Sequence, residues 1–168
     1  MKKFVIAALL AALTCGNAFG WGREGHETIA KLAENNLKPH AKKIVEKYLD
    51  NHSIVYYAKW MDEYRRTPEY QETGKWHGVR VDESLNYVPK ENGDGDAVKA
   101  IKDAVALLKN YKNLPDSTVN VNIKYLLHLV GDMHCPGHIY YTGRNQDFKV
   151  VLGDNHYIKP VQTMLPNM

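Results

Sequence analysis

Apolar positions recur at helical spacing along most of this chain. Ile29, Leu32, Ala33 and Leu37 share one stripe, with His26 one turn before it. Pro39 stands near the start of a second helix, where a missing N–H is tolerated, and Ala41, Ile44, Val45, Tyr48 and Leu49 give that helix a buried face. The span from Ile54 to Arg66 predicts a third helix with Ile54, Tyr57, Ala58 and Met61 inward. The pattern then breaks. Thr67 to Lys75 is polar, Val79-Arg80-Val81 is a short extended piece, and Glu91-Asn92-Gly93-Asp94-Gly95-Asp96 is rich in turn residues. The helical period resumes from Ala97 to Tyr111 through Val98, Ile101, Val105 and Leu108. A last long helix, capped by Asp116, Ser117 or Thr118, carries a core stripe of Val119, Ile123, Leu126, Val130 and Met133. Val121, Tyr125, His128 and Asp132 form a neighbouring stripe at the edge of the core. Pro136 ends the helix and His138 follows in the turn. The whole predicts an all-α, multi-helix domain without internal repeats.

The first twenty residues follow a different rule. Lys2 and Lys3 precede an apolar run from Phe4 to Leu13, and Ala18-Phe19-Gly20 is a small-x-small cleavage site. This predicts a signal peptide over 1–20, a mature domain over 21–168, and a secreted or periplasmic product. The apolar run is too short to span a bilayer. Ala12-Leu13-Thr14 before Cys15 makes a poor lipobox. Cleavage after Gly20 gives Trp21 a free amine, which with its own carbonyl and His26 can chelate a metal.

Charge changes the picture only by exclusion. The leader holds two of the 22 Lys and Arg and none of the 19 Asp and Glu, so the remainder is near +1. No basic run marks an electrostatic grip on a polyanion. Cys135 is the one cysteine after the leader, which excludes an internal disulfide framework. The Asp spacing in 91–96 lacks the distal Glu of a calcium loop and reads as a solvated turn with a helix N-cap.

The chemistry concentrates in His128-Leu129-Val130-Gly131-Asp132-Met133-His134-Cys135-Pro136-Gly137-His138. An imidazole and a carboxylate one helical turn apart reach the same ion. Gly131 admits another chain or an ion close to the backbone. Trp60-Met61-Asp62 places an acid among apolar and aromatic neighbours, where an unpaired carboxylate is rare. Trp76-His77 opens the extended piece. Each fragment alone also fits a bland reading, as a polar helix edge or a satisfied histidine. His40 and His52 read as surface residues in turns.

Jointly, Trp21-Gly22 with His26, Trp60-Met61-Asp62, Trp76-His77, the His128…Asp132…Pro136…His138 block and Gly143-Arg144-Asn145 resemble the zinc-dependent single-strand-specific nucleases of the phospholipase C superfamily. The resemblance covers nearly all of residues 21–156. It implies a helical domain with up to three zinc ions. Asp62, His77, His128 and Asp132 would hold the first; Trp21, His26 and Asp132 would hold a second, bridged through Asp132; His138 would serve a third. It implies metal-activated hydroxide attacking phosphorus, with Asp62 as catalytic carboxylate, Asn145 at the substrate, and single-stranded DNA or RNA as substrate. Removal of 3′-phosphates is a further family activity.

Departures from the family are equally specific. The His and Asp that complete the third zinc site have no match: Asn155-His156 is followed four residues on by Pro160. The chain therefore reads as C-terminally truncated relative to the family, with two complete zinc sites and apolar faces open to self-association. Gly78 stands where nuclease members often carry an aromatic ring that stacks on a base. Two alternatives stay open: a zinc phospholipase C, and an inactive member whose zinc is structural.

Overall fold

Helix α5 (Asp116–Met133), 18 residues long, is the central element. The computed structural model describes residues 22–90 and 95–142. Among the described residues four further α-helices surround α5: α1 (Arg23–Asn36), α2 (Pro39–Tyr48), α3 (Trp60–Tyr64) and α4 (Ala97–Leu108). Among the described residues a small sheet completes the architecture, with β1 (Val79–Val81) between β2 (Tyr87–Val88) and β3 (Ile139–Tyr141). The β1–β2 pair is antiparallel and the β1–β3 pair parallel, the latter with Val79 opposite Ile139 and Arg80 opposite Tyr140. The fold is the mainly helical one the pattern predicts.

Two apolar clusters share α5 along its length. At its N-terminal half, Val119 and Ile123 pack with Leu49 and Ile54. At its C-terminal half, Leu129 packs with Met61, Val79, Ala97 and Ala100. Full burial of a side chain such as Leu129 or Met61 contributes about 1.5–3 kcal/mol relative to exposure. The functional cluster lies at this second half, so the same packing that stabilises the fold fixes the site.

The buried faces of α1 and α4 are rotated from their predicted stripes. In α1 the buried residues are His26, Ala30 and Glu34, while Leu32 is 61% exposed. In α4 they are Ala97, Ala100 and Ala104, while Val105 is 41% exposed. In α4 the innermost residues are all alanines, and the larger Val98 and Ile101 pack beside them against the core. Gly131 gives the His26 side chain its room on α5: a Cβ there would stand 2.6 Å from His26 Nδ1. In α5 itself Leu129 replaces Val130 as the buried position, since Val130 is 38% exposed.

The predicted third helix is broken. Ile54–Tyr57 is a 3-10 turn opened by Ser53, whose side chain accepts from the Val55 N–H, and α3 begins only at Trp60. Ile54, Ala58 and Met61 are buried as expected. Pro39 occupies the first turn of α2. The residue before α5 is Pro115, and no side chain caps that helix. Instead the Pro115 carbonyl accepts from Thr118 and Val119, and Asp116 favours the positive end of the helix dipole. Asp96 does cap α4, accepting from the Lys99 N–H at 3.0 Å. It is buried rather than solvated, and the Tyr87 hydroxyl donates to it at 2.9 Å. Among the described residues no helix is long and apolar enough to cross a membrane.

Candidate metal centre

Five separate elements deliver titratable side chains to one buried point. α1 brings His26, α3 brings Asp62, the segment leading into β1 brings His77, α5 brings His128 and Asp132, and the turn after α5 brings His138. The i,i+4 spacing places His128 and Asp132 on one face of α5, and both are fully buried. Their position is the centre of the packed interior, not its edge, because α1, α3 and β1 all close over that face.

Asp132 is the hub. Its Oδ2 lies 2.9 Å from His77 Nδ1 and 3.4 Å from His128 Nε2. Its Oδ1 lies 3.3 Å from His26 Nε2 and 3.4 Å from His138 Nε2. Asp62 approaches from the more open side, with Oδ1 3.7 Å from His128 Nε2 and Oδ2 3.9 Å from His26 Nε2. His26 stacks on His128 with ring centroids 4.0 Å apart, and His77 meets His128 edge-on. Two overlapping triads have ligand atoms within 4.8 Å of one another: His26, Asp62 and His128; and His77, His128 and Asp132.

The hydrogen-bond pattern fits a cation. His128 Nδ1 donates to the Ala58 carbonyl at 2.9 Å, so its Nε2 carries a lone pair toward Asp132, Asp62 and His77. His138 Nδ1 donates to the His77 carbonyl, which turns a second Nε2 lone pair toward Asp132 Oδ1. Lone pairs and carboxylate oxygens facing each other at this range repel unless a proton or a metal ion lies between them. Imidazoles oriented by a backbone carbonyl are the usual arrangement around zinc. Buried Asp132 Oδ1 has no hydrogen-bond partner, and such an orphaned atom calls for a ligand. The donor set of imidazoles and carboxylates suits zinc.

Electrostatics agree. Burial pushes the Asp132 carboxyl up to about 8, against the pull of His138. Burial lowers His26 to about 3 and His128 to about 4. Burial also acts to raise Asp62, but His128 and Arg65 outweigh it and hold that carboxyl below its ordinary value. Without an ion, burial thus favours the neutral forms of Asp132, His26 and His128, while Asp62 stays ionised beside Arg65.

The structure brings six of the expected residues together: His26, Asp62, His77, His128, Asp132 and His138. Trp21 and Asn145 lie outside the described residues, as do Gly143 and Arg144. His40, His52 and His134 are exposed. Sequence reasoning missed Arg65, whose Nε lies 3.5 Å from Asp62 Oδ1. The i,i+3 spacing from Asp62 was the available signal. It also missed Tyr140. That ring lies against Gly78, in the space a side chain there would need, and Tyr140 is 50% exposed.

Comparison with known proteins gives one family. The chain is similar to nuclease S1 of Aspergillus oryzae, 27% identical over 137 residues, covering 77% of this chain and 46% of that protein. It is 28% identical to nuclease P1 of Penicillium citrinum over 145 residues, covering 75% and 50%. Endonuclease 5 of Arabidopsis thaliana is 24% identical over 159 residues, covering 85% and 54%. The chain spans about half the length of these curated relatives. The family model for S1/P1 nuclease matches residues 21–155, the stretch that carries every side chain of the centre, and the chain belongs to that family.

Proposed function

We propose that this chain is an exported zinc-dependent phosphodiesterase that cuts single-stranded nucleic acid at the Asp132 centre. The observation that carries the reading is Asp132 itself, a buried carboxylate with two imidazoles facing each of its oxygens. That arrangement suits a pair of ions bridged by one carboxylate. A structural zinc site is normally a single closed tetrahedron, and the partly open Asp62 rim fits it poorly. His77, His128 and Asp62 would hold one ion with Asp132. His26 and the Trp21 amine and carbonyl would hold the other, once the leader over 1–20 has been removed from the 21–168 domain. His138 would add a further ligand, in the family reading to a third ion.

Zinc in such a pair lowers the pKa of water and neutralises charge building on phosphoryl oxygens. The chain's own groups do the rest. Asp62, ionised and on the open side, accepts a proton from the attacking water. The water oxygen bonds to phosphorus as the ester P–O bond breaks, and the leaving oxygen takes up a proton. Arg65, beside Asp62, offers its guanidinium to a phosphate oxygen. Asn145 is the expected further substrate contact.

The exposed Tyr140 ring offers a surface on which a base can stack, which supports the nucleic-acid reading. Exposed Val105, Leu107 and Val130 leave apolar surface for self-association. The test is a substrate comparison on purified protein, with added zinc and a chelator control. Cleavage of single-stranded DNA with lecithin untouched supports the reading; lecithin hydrolysis with intact DNA replaces it with the phospholipase alternative.

A further inference from the structure

Lys124 is a buried cation that the metal centre does not use. Only 9% of it is exposed. Its Nζ lies 4.2 Å from the Tyr57 ring centroid and 4.9 Å from that of Trp60, so the ammonium is held between two aromatic faces. Burial lowers its pKa, and Asp50 opposes that shift. Asp50 is also tied to the same cage, because the Tyr57 hydroxyl donates to its Oδ2 at 3.1 Å. A continuous chain therefore runs from Asp50 through Tyr57 and Lys124 to Trp60.

The position of this chain matters. Lys124 lies one turn before His128 on α5. Tyr57 and Trp60 bracket Ala58, whose carbonyl accepts from His128 Nδ1. Trp60 starts the short helix that carries Asp62. The segment between the two rings thus sets both the tautomer of one ligand and the reach of another. Its backbone is not a continuous helix, so helical hydrogen bonds alone do not fix it.

We propose that Lys124 is a positioning residue of the metal centre: clamped between Tyr57 and Trp60, it fixes residues 58–62 so that His128 and Asp62 converge. This rests on the metal-centre reading above. Groups that orient metal ligands typically change metal affinity by about 10–100-fold when removed. The experiment measures zinc affinity by competition with a chromophoric chelator, and the visible spectrum of the cobalt-loaded protein, for wild type, Lys124→Met and Lys124→Arg.

Lys124→Met keeps the length and loses the charge. Its zinc affinity is expected to fall about tenfold with an altered cobalt spectrum, while Lys124→Arg keeps both close to wild type. A lower melting temperature with unchanged zinc affinity and spectrum would reduce Lys124 to a packing role and overturn the proposal. If Lys124→Met does not fold, Tyr57→Leu decides in the same way, since it removes one face of the clamp and leaves the ammonium. Wild-type protein that binds no zinc would instead overturn the metal-centre reading itself, so the two failures are distinct.

Discussion

Asp132→Asn is expected to lose zinc and to lower single-strand cleavage by a factor on the order of a thousand or more. Asparagine keeps the shape but removes the charge on which four imidazole nitrogens converge. Its amide also turns a donor toward atoms that should bind a metal. Stability of the zinc-free protein behaves differently. Burial raises the folded Asp132 pKa to about 8 from an ordinary 3.8, so at neutral pH the native carboxyl is protonated and resembles asparagine in charge. Zinc-free Asp132→Asn should therefore melt close to wild type at pH 6.5.

The pH dependence has a definite sign. Between about pH 4 and 8 the native zinc-free protein holds a proton on Asp132 that the unfolded chain has released, so this contribution to stability is lost as pH rises. His26 and His128 act oppositely. Their folded values near 3 and 4 lie below the ordinary 6.5, so their contribution is present above pH 6.5 and is lost as pH falls below it. Above pH 6.5 the Asp132 contribution acts without that opposition. Wild type in chelator should melt lower at pH 8 than at pH 6.5, and Asp132→Asn should lack that slope. Zinc competes with the same proton, so its binding at pH 7 should release protons and strengthen as pH rises toward 8.

Asp62→Asn is expected to lower kcat by about a hundredfold to a thousandfold with limited loss of fold. Asp62 lies at the rim, its side chain 17% exposed, and it contributes little to the core. Its carboxyl stays ionised because His128 and Arg65 outweigh its burial. On the proposed function the change removes both a metal ligand and the proton acceptor nearest the open side. KM for single-stranded DNA should move much less, since Arg65 and Tyr140 stay in place. Turnover within about tenfold of wild type would remove Asp62 from both roles.

Much of this centre is legible in the amino-acid sequence, because its parts obey local rules. The i,i+4 spacing places His128 and Asp132 together on any helix, and a buried acid after Trp60-Met61 needs a partner wherever it folds. What the pattern misses is set by tertiary packing. Ala97, Ala100 and Ala104 take the innermost positions of α4, with Val98 and Ile101 packed beside them against the core and Val105 left exposed. In α1 the buried face of His26, Ala30 and Glu34 is set by the polar cluster it meets rather than by apolar area. The break before α3 is invisible because the apolar spacing from Ile54 to Met61 is helical. Its consequence is that the Ala58 carbonyl is directed to His128. Arg65 and Tyr140 escape the pattern for another reason: each gains meaning only from what stands across from it, Asp62 in one case and Gly78 in the other.

Zinc binding by the purified protein, followed by titration calorimetry with elemental analysis, tests the account most directly. The account predicts about two zinc ions per wild-type chain, with proton release at pH 7 and loss of binding in Asp132→Asn. A folded wild-type protein that takes up no zinc, or an Asp132→Asn variant that binds it as tightly, would contradict it.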